Sequence, residues 1–418
     1  MDRGTPLPRL VTGIVSSTAG FSIGVLTPLN LLLSLHLLQI AGSAAAAAFG
    51  LVTGMGALAA LVSNPLAGRI SDRTAARFGR RRVWILTGAL GGTLALLAML
   101  LTTQVWQVVL VWMLIQAVFN FQYAATWAAF AEQVPQERLG AVSGVVGLVL
   151  PLGPLLGLAA VVGFSGNLPA QWAIVAGLAA VGGVLGVVLL RDRPFRRGVD
   201  DEPMSLGLLL RSYWVNPRRH PAFGWAWIVR FLLTCAYASG VYSTFLLVER
   251  FGVAQDAVGG IQLTVTVLSV ATLAVTSVGS GWVSDRLGRQ KPFVVAAGVI
   301  AAAALVLMAL APSIGWFYVA SIGIAAGTGL FLAVDTALCV RVLPSRRDDA
   351  GRDYAVINIA NTLPQSFVPF IAPALLAIGG YTALYLFLAA LGPLGAFAVR
   401  RIPEIGREDD PRFAPITR

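Results

Sequence analysis

The chain has 418 residues, of which 57% are hydrophobic and only 12% charged, with a formal net charge of +11. Soluble globular chains carry about 25% charged residues. Here no Asp, Glu, Lys or Arg occurs in residues 10–68, 83–131, 139–190, 257–284, 292–334 or 354–399. A bilayer crossing needs about 20 apolar residues, so these runs exclude soluble enzyme classes and predict a polytopic, all-α membrane protein.

Clusters of Gly, Pro, Ser and Gln divide the runs into twelve expected transmembrane helices. They fall near residues 10–38, 45–67, 83–102, 105–131, 140–164, 170–190, 222–248, 257–282, 292–312, 314–342, 354–378 and 381–399. The first apolar stretch is too long for a signal-peptide core and reads as span 1. It carries Ser16, Thr27 and Asn30, with His36 near its outer end, where the imidazole serves either as a proton relay or as an interhelical contact. Span 4 aligns Gln116, Asn120, Tyr123 and Trp127 in steps of four, three and four, one helical stripe ending near Glu132, which reads as a gate or loop contact.

After span 6, residues 191–221 form the one long interior polar segment. It reads as a cytoplasmic linker with an interfacial helix at 204–214 and a solvent-side His220. Span 7 places Arg230, Thr234 and Tyr237 on one face, and span 10 carries Asp335. Span 11 carries Asn358, Asn361 and Gln365 beside Pro364. Cys235 and Cys339 lie inside apolar spans and read as small buried hydrophobes. The expected organisation is a six-helix bundle over 1–190, the linker, a second six-helix bundle over 222–400 and a cytoplasmic tail over 401–418.

All basic residues but Lys291 are arginines. Of the 30, 28 lie at the termini or in the connections after spans 2, 4, 6, 8 and 10. That alternation is the positive-inside pattern. It assigns the +11 to orientation rather than to nucleic-acid binding, and it places both termini in the cytoplasm.

The two halves repeat. Gly68-Arg-Ile-Ser-Asp72-Arg73, continuing to Gly79-Arg80-Arg81-Arg82, corresponds to Gly281-Trp-Val-Ser-Asp285-Arg286, continuing to Gly288-Arg289-Gln-Lys291. Gly68 and Asp72 match at an offset of 213, and Gly79 matches at 209 after a four-residue insertion in the first copy. Val134-Pro135 matches Leu343-Pro344, again at 209. One insertion accounts for both offsets, so the chain is a duplicated unit. Gly68 and Gly281 are expected to admit close helix packing, the aspartates to pair with Arg or a helix N-terminus, and the basic clusters to hold the cytoplasmic surface.

These loops resemble the signature of the major facilitator superfamily of secondary transporters. The resemblance implies two pseudo-symmetric six-helix bundles, a central cavity lined by spans 1, 4, 7 and 10, and alternating access by rocking of the halves. The long first loop and the preceding Asn64-Pro65 look most like the glycoside and sucrose–cation symporter branches. Sodium-coupled members carry paired carboxylates before that proline, where this chain has Ala60 and Asn64, and the expected coupling ion is the proton. Antiporters of the superfamily carry a glycine pattern in span 5, which Gly140, Gly153, Pro154 and Gly157 match in part.

An ionisable group inside a bilayer costs about 2.5–3.5 kcal/mol on insertion scales. Arg230 and Asp335 each lie about 12 Å from the cytoplasmic edge of their spans. They are expected to form an ion pair, either one that substrate or a proton breaks or a permanent lock. Gln116, Asn120, Tyr123, Trp127, Thr234, Tyr237, Asn358, Asn361, Gln365 and Asn30 are the expected cavity residues. Neutral amides and aromatic rings suit a hydroxyl-rich solute, or alternatively hold the helices together. Gly68, Asp72, Arg73, Gly79 and Arg80, with Gly281, Asp285, Arg286, Gly288 and Arg289, are the expected gating loops.

No phosphate-binding G-x-x-x-x-G-K-[ST] loop occurs, as an ATP-driven pump would need, nor a histidine or acid dyad for intramembrane catalysis. The expected function is proton-coupled symport of a small, sugar-like solute. Efflux of an amphiphilic compound by proton antiport is the alternative, and a transport-inactive receptor of the same fold is a third reading. The expected partners are a small-molecule substrate, H+ and membrane lipid, with no cofactor, metal or nucleic acid. The expected state is a monomer in a bacterial cytoplasmic membrane. A reporter active only in the cytoplasm, fused to either terminus, is expected to be active; activity of an extracytoplasmic reporter there would overturn the orientation.

Overall fold

The computed structural model describes residues 5–192, 220–341 and 350–402, and no strand occurs among them. Hydrocarbon supplies no hydrogen bonds, so each backbone donor must find its acceptor within its own helix. The helices are α1 (7–41), α2 (Ala45–Arg73), α3 (Arg80–Ala98), α4 (Val105–Gln133), α5 (Leu139–Val162), α6 (Leu168–Leu189), α7 (Pro221–Arg250), α8 (Gln255–Leu287), α9 (Lys291–Leu310), α10 (Ile314–Arg341), α11 (350–378) and α12 (381–398). Ten helical stretches are long and apolar enough to cross a membrane. Two of them, Leu7–Arg73 and Ile359–Arg401, fold back once. The first turns at Gly42 (φ 51°) and the second at Gly379 and Gly380 (φ 61°), which gives twelve crossings among the described residues. Both φ values lie in the left-handed region that glycine enters without a Cβ penalty. The fold is therefore the expected twelve-helix one. The linker helix at 204–214 and the tail beyond 402 lie outside the described residues.

The chain forms two compact units, Met1–Asp201 with Val241–Thr266, and Glu202–Gly240 with Val267–Arg418. In the first, α1 lies against α6 through small residues. A Cβ on Gly20 would stand 2.7 Å from the carbonyl oxygen of Ala179, and one on Gly182 would stand 2.7 Å from the Cα of Gly20. Without a hydrophobic driving force between helices in lipid, such backbone approach is what binds them. Phe49 of α2 packs edge-to-face on Tyr242 and Phe245, at 5.3 and 5.2 Å between ring centres. In the second unit, α9 and α12 meet at Gly298 and Gly392, where an added Cβ on Gly298 would lie 2.6 Å from the carbonyl oxygen of Gly392.

The duplication reappears in these contacts. Gly183 of α6 presses on Ala89 of α3. An offset of 209 carries that pair onto Gly392 and Gly298. The same helix pair crosses at the same two positions in both units. Among the described residues, Gly68 and Gly281 make no close helix contact. No described atom lies within 4 Å of a Cβ built on Gly68, and Gly281 has only an ordinary contact at 3.9 Å with Ala333. The close approaches lie deeper in the bundles, where whole helix faces meet.

Large apolar side chains such as Leu94, Leu101, Phe370 and Ile378 are mostly exposed, as suits a surface bathed in lipid rather than water. Overpacking a helix crossing costs about 1–3 kcal/mol. Gly183→Leu is therefore expected to lower the thermal midpoint of the detergent-solubilised protein by several degrees, read by fluorescence-detected size exclusion. Gly177→Leu, whose Cβ meets no described atom, serves as the control and is expected to leave it within about 1 °C.

Candidate functional site

Three buried side chains form the polar centre of the second unit. Arg230 of α7 and Asp335 of α10 are 6% and 3% exposed, and Arg230 Nε lies 3.3 Å from Asp335 Oδ2. The ion pair expected from the sequence is thus formed. Cys339, one turn along α10, completes the group: its thiol donates to Asp335 Oδ1 at 3.5 Å and accepts from Arg230 Nη1 at 3.7 Å. The Tyr237 hydroxyl donates to the Gly327 carbonyl at 3.2 Å, pinning α7 to α10. Thr234 is half-buried. Trp227 and Phe231 stack at 5.4 Å, and Phe231 reaches Phe367 of α11 at 5.6 Å. This aromatic ladder was missed in the sequence, although its i, i+4 start is visible there. On α11, Asn361 is half-buried and Gln365 exposed, while the side chain of Asn358 lies outside what the structure describes.

In the first unit the α4 stripe forms as expected. Asn64 Nδ2 donates to Asn120 Oδ1 at 3.1 Å, and Asn120 Nδ2 donates to the Gln116 carbonyl at 2.7 Å. Tyr123 stacks on Phe21 of α1 with ring centres 4.4 Å apart, and Trp127 stands edge-on to Tyr123 at 6.0 Å. Phe21 and Asn64 thus pack on the α4 stripe. Gly56 permits this arrangement, because a Cβ there would stand 2.6 Å from Trp112 Nε1 on α4. Asn30 is used through its backbone, whose carbonyl accepts from the Thr244 hydroxyl at 3.0 Å. His36 is buried and shares a 2.7 Å hydrogen bond with Thr102, four residues past α3, beside a cavity of about 380 Å³.

The first signature loop is organised by a residue that the expected set omitted. Arg81, 3% exposed, donates through Nη2 to Asp72 Oδ1 and Glu132 Oε1 and through Nη1 to the Ser71 hydroxyl. Arg80 donates to the same Glu132 oxygen at 2.7 Å. The Asp192 carboxylate, just past α6, accepts from the backbone N–H groups of Arg81 and Arg82 and so occupies the positive N-terminus of α3. Gly79 (φ 106°) needs to be glycine twice over, since its backbone is left-handed and a Cβ there would strike Asp192. Arg73 is half-buried. Among three consecutive arginines, only the phase of α3 against its neighbours decides which one points inward, and nothing in the local pattern singles out Arg81.

The second loop differs. Gly288 (φ 59°) closes it, its N–H donating to the Asp285 carbonyl at 3.3 Å. The Ser284 hydroxyl donates to the Arg289 carbonyl at 2.9 Å. Asp285 is exposed, and the Arg286 guanidinium lies 3.7 Å from the Trp282 ring centre. At the offset of 209 the position of Arg81 holds Gln290.

The described residues make twelve apolar crossings, with a buried ion pair in one unit and an amide-and-aromatic face in the other, and the family that the chain matches makes it a membrane transporter. The chain belongs to the Major Facilitator Superfamily, whose family model matches residues 10–369 and, in a second match, 257–416. A search of curated protein sequences gives no match. Among solved structures, a D-xylose-proton symporter aligns with a TM-score of 0.69 at 16% identity, covering 95% of this chain and 98% of that one. The nucleoside transporter NupG aligns at 0.70 and 14% identity, covering 94% and 98%. A bacterial homologue of the human lysosomal transporter Spinster aligns at 0.68 and 14%, covering 96% and 98%. At these identities the likeness is one of fold.

Hydrogen bonds to charged groups contribute about 1.5–3 kcal/mol, less where a partner is exposed, as the Asp72 side chain is at 56%. Arg81→Gln is therefore expected to lower the thermal midpoint by a few degrees. Arg77→Gln, an exposed arginine of the same loop, should leave it unchanged. Equal effects of the two would show that the Arg81 network holds nothing in place.

Proposed function

We propose that this transporter moves a small, hydroxyl-rich, sugar-like solute by proton-coupled symport. The observation that carries the reading is the buried Arg230–Asp335 pair. A charged pair inside the membrane needs a reason to be there, and it is held by a one-sided approach through Nε instead of the two-pronged fork that makes arginine–carboxylate pairs tight. A proton arriving on Asp335 would release Arg230 at modest expense. The α4 face supplies the other half of the reading. Gln116 and Asn64 offer amide groups for hydroxyls, with Asn120 bonded to both residues, and Tyr123 and Trp127 offer rings for the apolar side of a sugar. The superfamily implies alternating access through rocking of two bundles around such a site. The D-xylose-proton symporter of the same fold is consistent with the solute class.

Export by antiport has one observation in its favour. Gly153 and Gly157 of α5 press on Ser22 and Thr27 of α1, so the part of the antiporter glycine pattern that is present is used in packing.

The test is uptake into proteoliposomes of both orientations, under an imposed pH gradient, with pentoses, hexoses, disaccharides and nucleosides as candidate solutes. Gradient-driven accumulation of a sugar, on the side symport requires, is expected in the wild type. Asp335→Asn is expected to lose accumulation while keeping solute exchange. Full gradient-driven accumulation by Asp335→Asn would remove the coupling role, and accumulation opposite to the proton flux would establish export.

A further inference from the structure

We infer that Cys339 is a positioning residue of the Arg230–Asp335 pair, which tunes how readily the carboxylate exchanges its guanidinium partner for a proton. The inference rests on the proposed coupling role of Asp335 and adds the group that sets its working range.

The geometry has three parts. The approach of Arg230 Nε to Asp335 Oδ2 at 3.3 Å is an ion-pair contact in which Nε makes no aligned hydrogen bond. The other carboxylate oxygen, Oδ1, is held by the Cys339 thiol at 3.5 Å. The same sulfur accepts from Arg230 Nη1 at 3.7 Å, so it bridges acid and base where the guanidinium fork would otherwise close on the carboxylate. A thiol is a weak donor and a weak acceptor. It satisfies both ions without locking either.

The first unit offers an internal comparison. The offsets that align the signature loops carry Ser17 onto Arg230 at 213, and Thr126 onto Asp335 at 209. Ser17 and Thr126 share a 2.7 Å hydrogen bond, so both units join the first and fourth helices of their half at the same place. There the bond is between neutral hydroxyls, braced by Gln122 Nε2 donating to the Ser17 carbonyl at 2.9 Å. The counterpart of Cys339 at 209 is Phe130, a buried apolar ring. The half without charges has no polar group at this position, and the half with charges has a thiol.

Among the described residues, the titratable groups facing Asp335 are Arg230 and Tyr237 from α7 and Cys339 from its own helix. Tyr237 is already committed to the Gly327 carbonyl. Val294 and Ala297 of α9 and Val356 of α11 belong to the buried apolar core of this unit. The thiol is therefore the adjustable contact of the carboxylate.

The test reads the carboxyl directly and needs no solute. Infrared spectra of the full chain in lipid, titrated from acid to alkaline pH, should show a protonated-carboxyl C=O band that Asp335→Asn removes. Removing a donor to the carboxylate disfavours the ionised form. In Cys339→Ala the midpoint of that band is expected to move to higher pH by about one unit, a tenfold change in proton affinity. Cys339→Ser, with a stronger donor in the same place, should move it below the wild-type value. A purely structural role for Cys339 would lower thermal stability and leave the midpoint where it was. Midpoints unchanged in the folded variants overturn the inference; should the alanine variant not fold, the serine variant decides by its own shift. If no band responds to Asp335→Asn, the proton-carrier reading itself fails, an outcome distinct from an unresponsive Cys339.

Discussion

A polar group inside the bilayer must be satisfied by protein, because hydrocarbon offers it nothing. That constraint explains why the described chain is helical and why small residues, which let backbones touch, hold its helices together. It also explains why the few charges within the crossings matter. Arg230 and Asp335 each lower the cost of burying the other, and the Cys339 thiol bonds to both.

The two halves share their packing and divide their charge. The same helix pair crosses at Ala89–Gly183 and at Gly298–Gly392, so the duplicated unit kept its contacts where size is decisive. Charge went the opposite way in each half. The first has an ionic cluster around Arg81 in its signature loop, with a neutral hydroxyl pair, Ser17 and Thr126, in its interior. The second has Gln290 where Arg81 stands, and an ion pair in its interior. Packing volume tolerates little change without strain, whereas a polar pair can become ionic in one copy so long as both partners change together.

Much of the polar interior was legible before the structure. The step pattern Gln116, Asn120, Tyr123, Trp127 follows from helical geometry alone, and the pairing of Arg230 with Asp335 follows from equal depth and opposite charge. What could not be read were partners supplied by another helix. Phe21 is one apolar residue among many in span 1 until Tyr123 stacks on it. Asp192 looks like part of a basic linker until it meets the N-terminus of α3. Gly68 is the converse case: a repeated glycine suggested a close contact, and no described atom approaches it.

The sequence by itself determined the number of crossings, the duplication and the short inventory of charges within the membrane. Those properties are sums over contiguous stretches, which the thickness of a bilayer and the burial cost of a charge write directly into composition. Tertiary structure alone decided which of three adjacent arginines reaches Asp72 and Glu132, that the arginine–aspartate contact is one-sided, and that a thiol stands between its partners. Those outcomes depend on the rotation and crossing of helices far apart in sequence, set jointly by close contacts such as Gly20–Gly182 and Gly298–Gly392, and no local pattern in the chain encodes them.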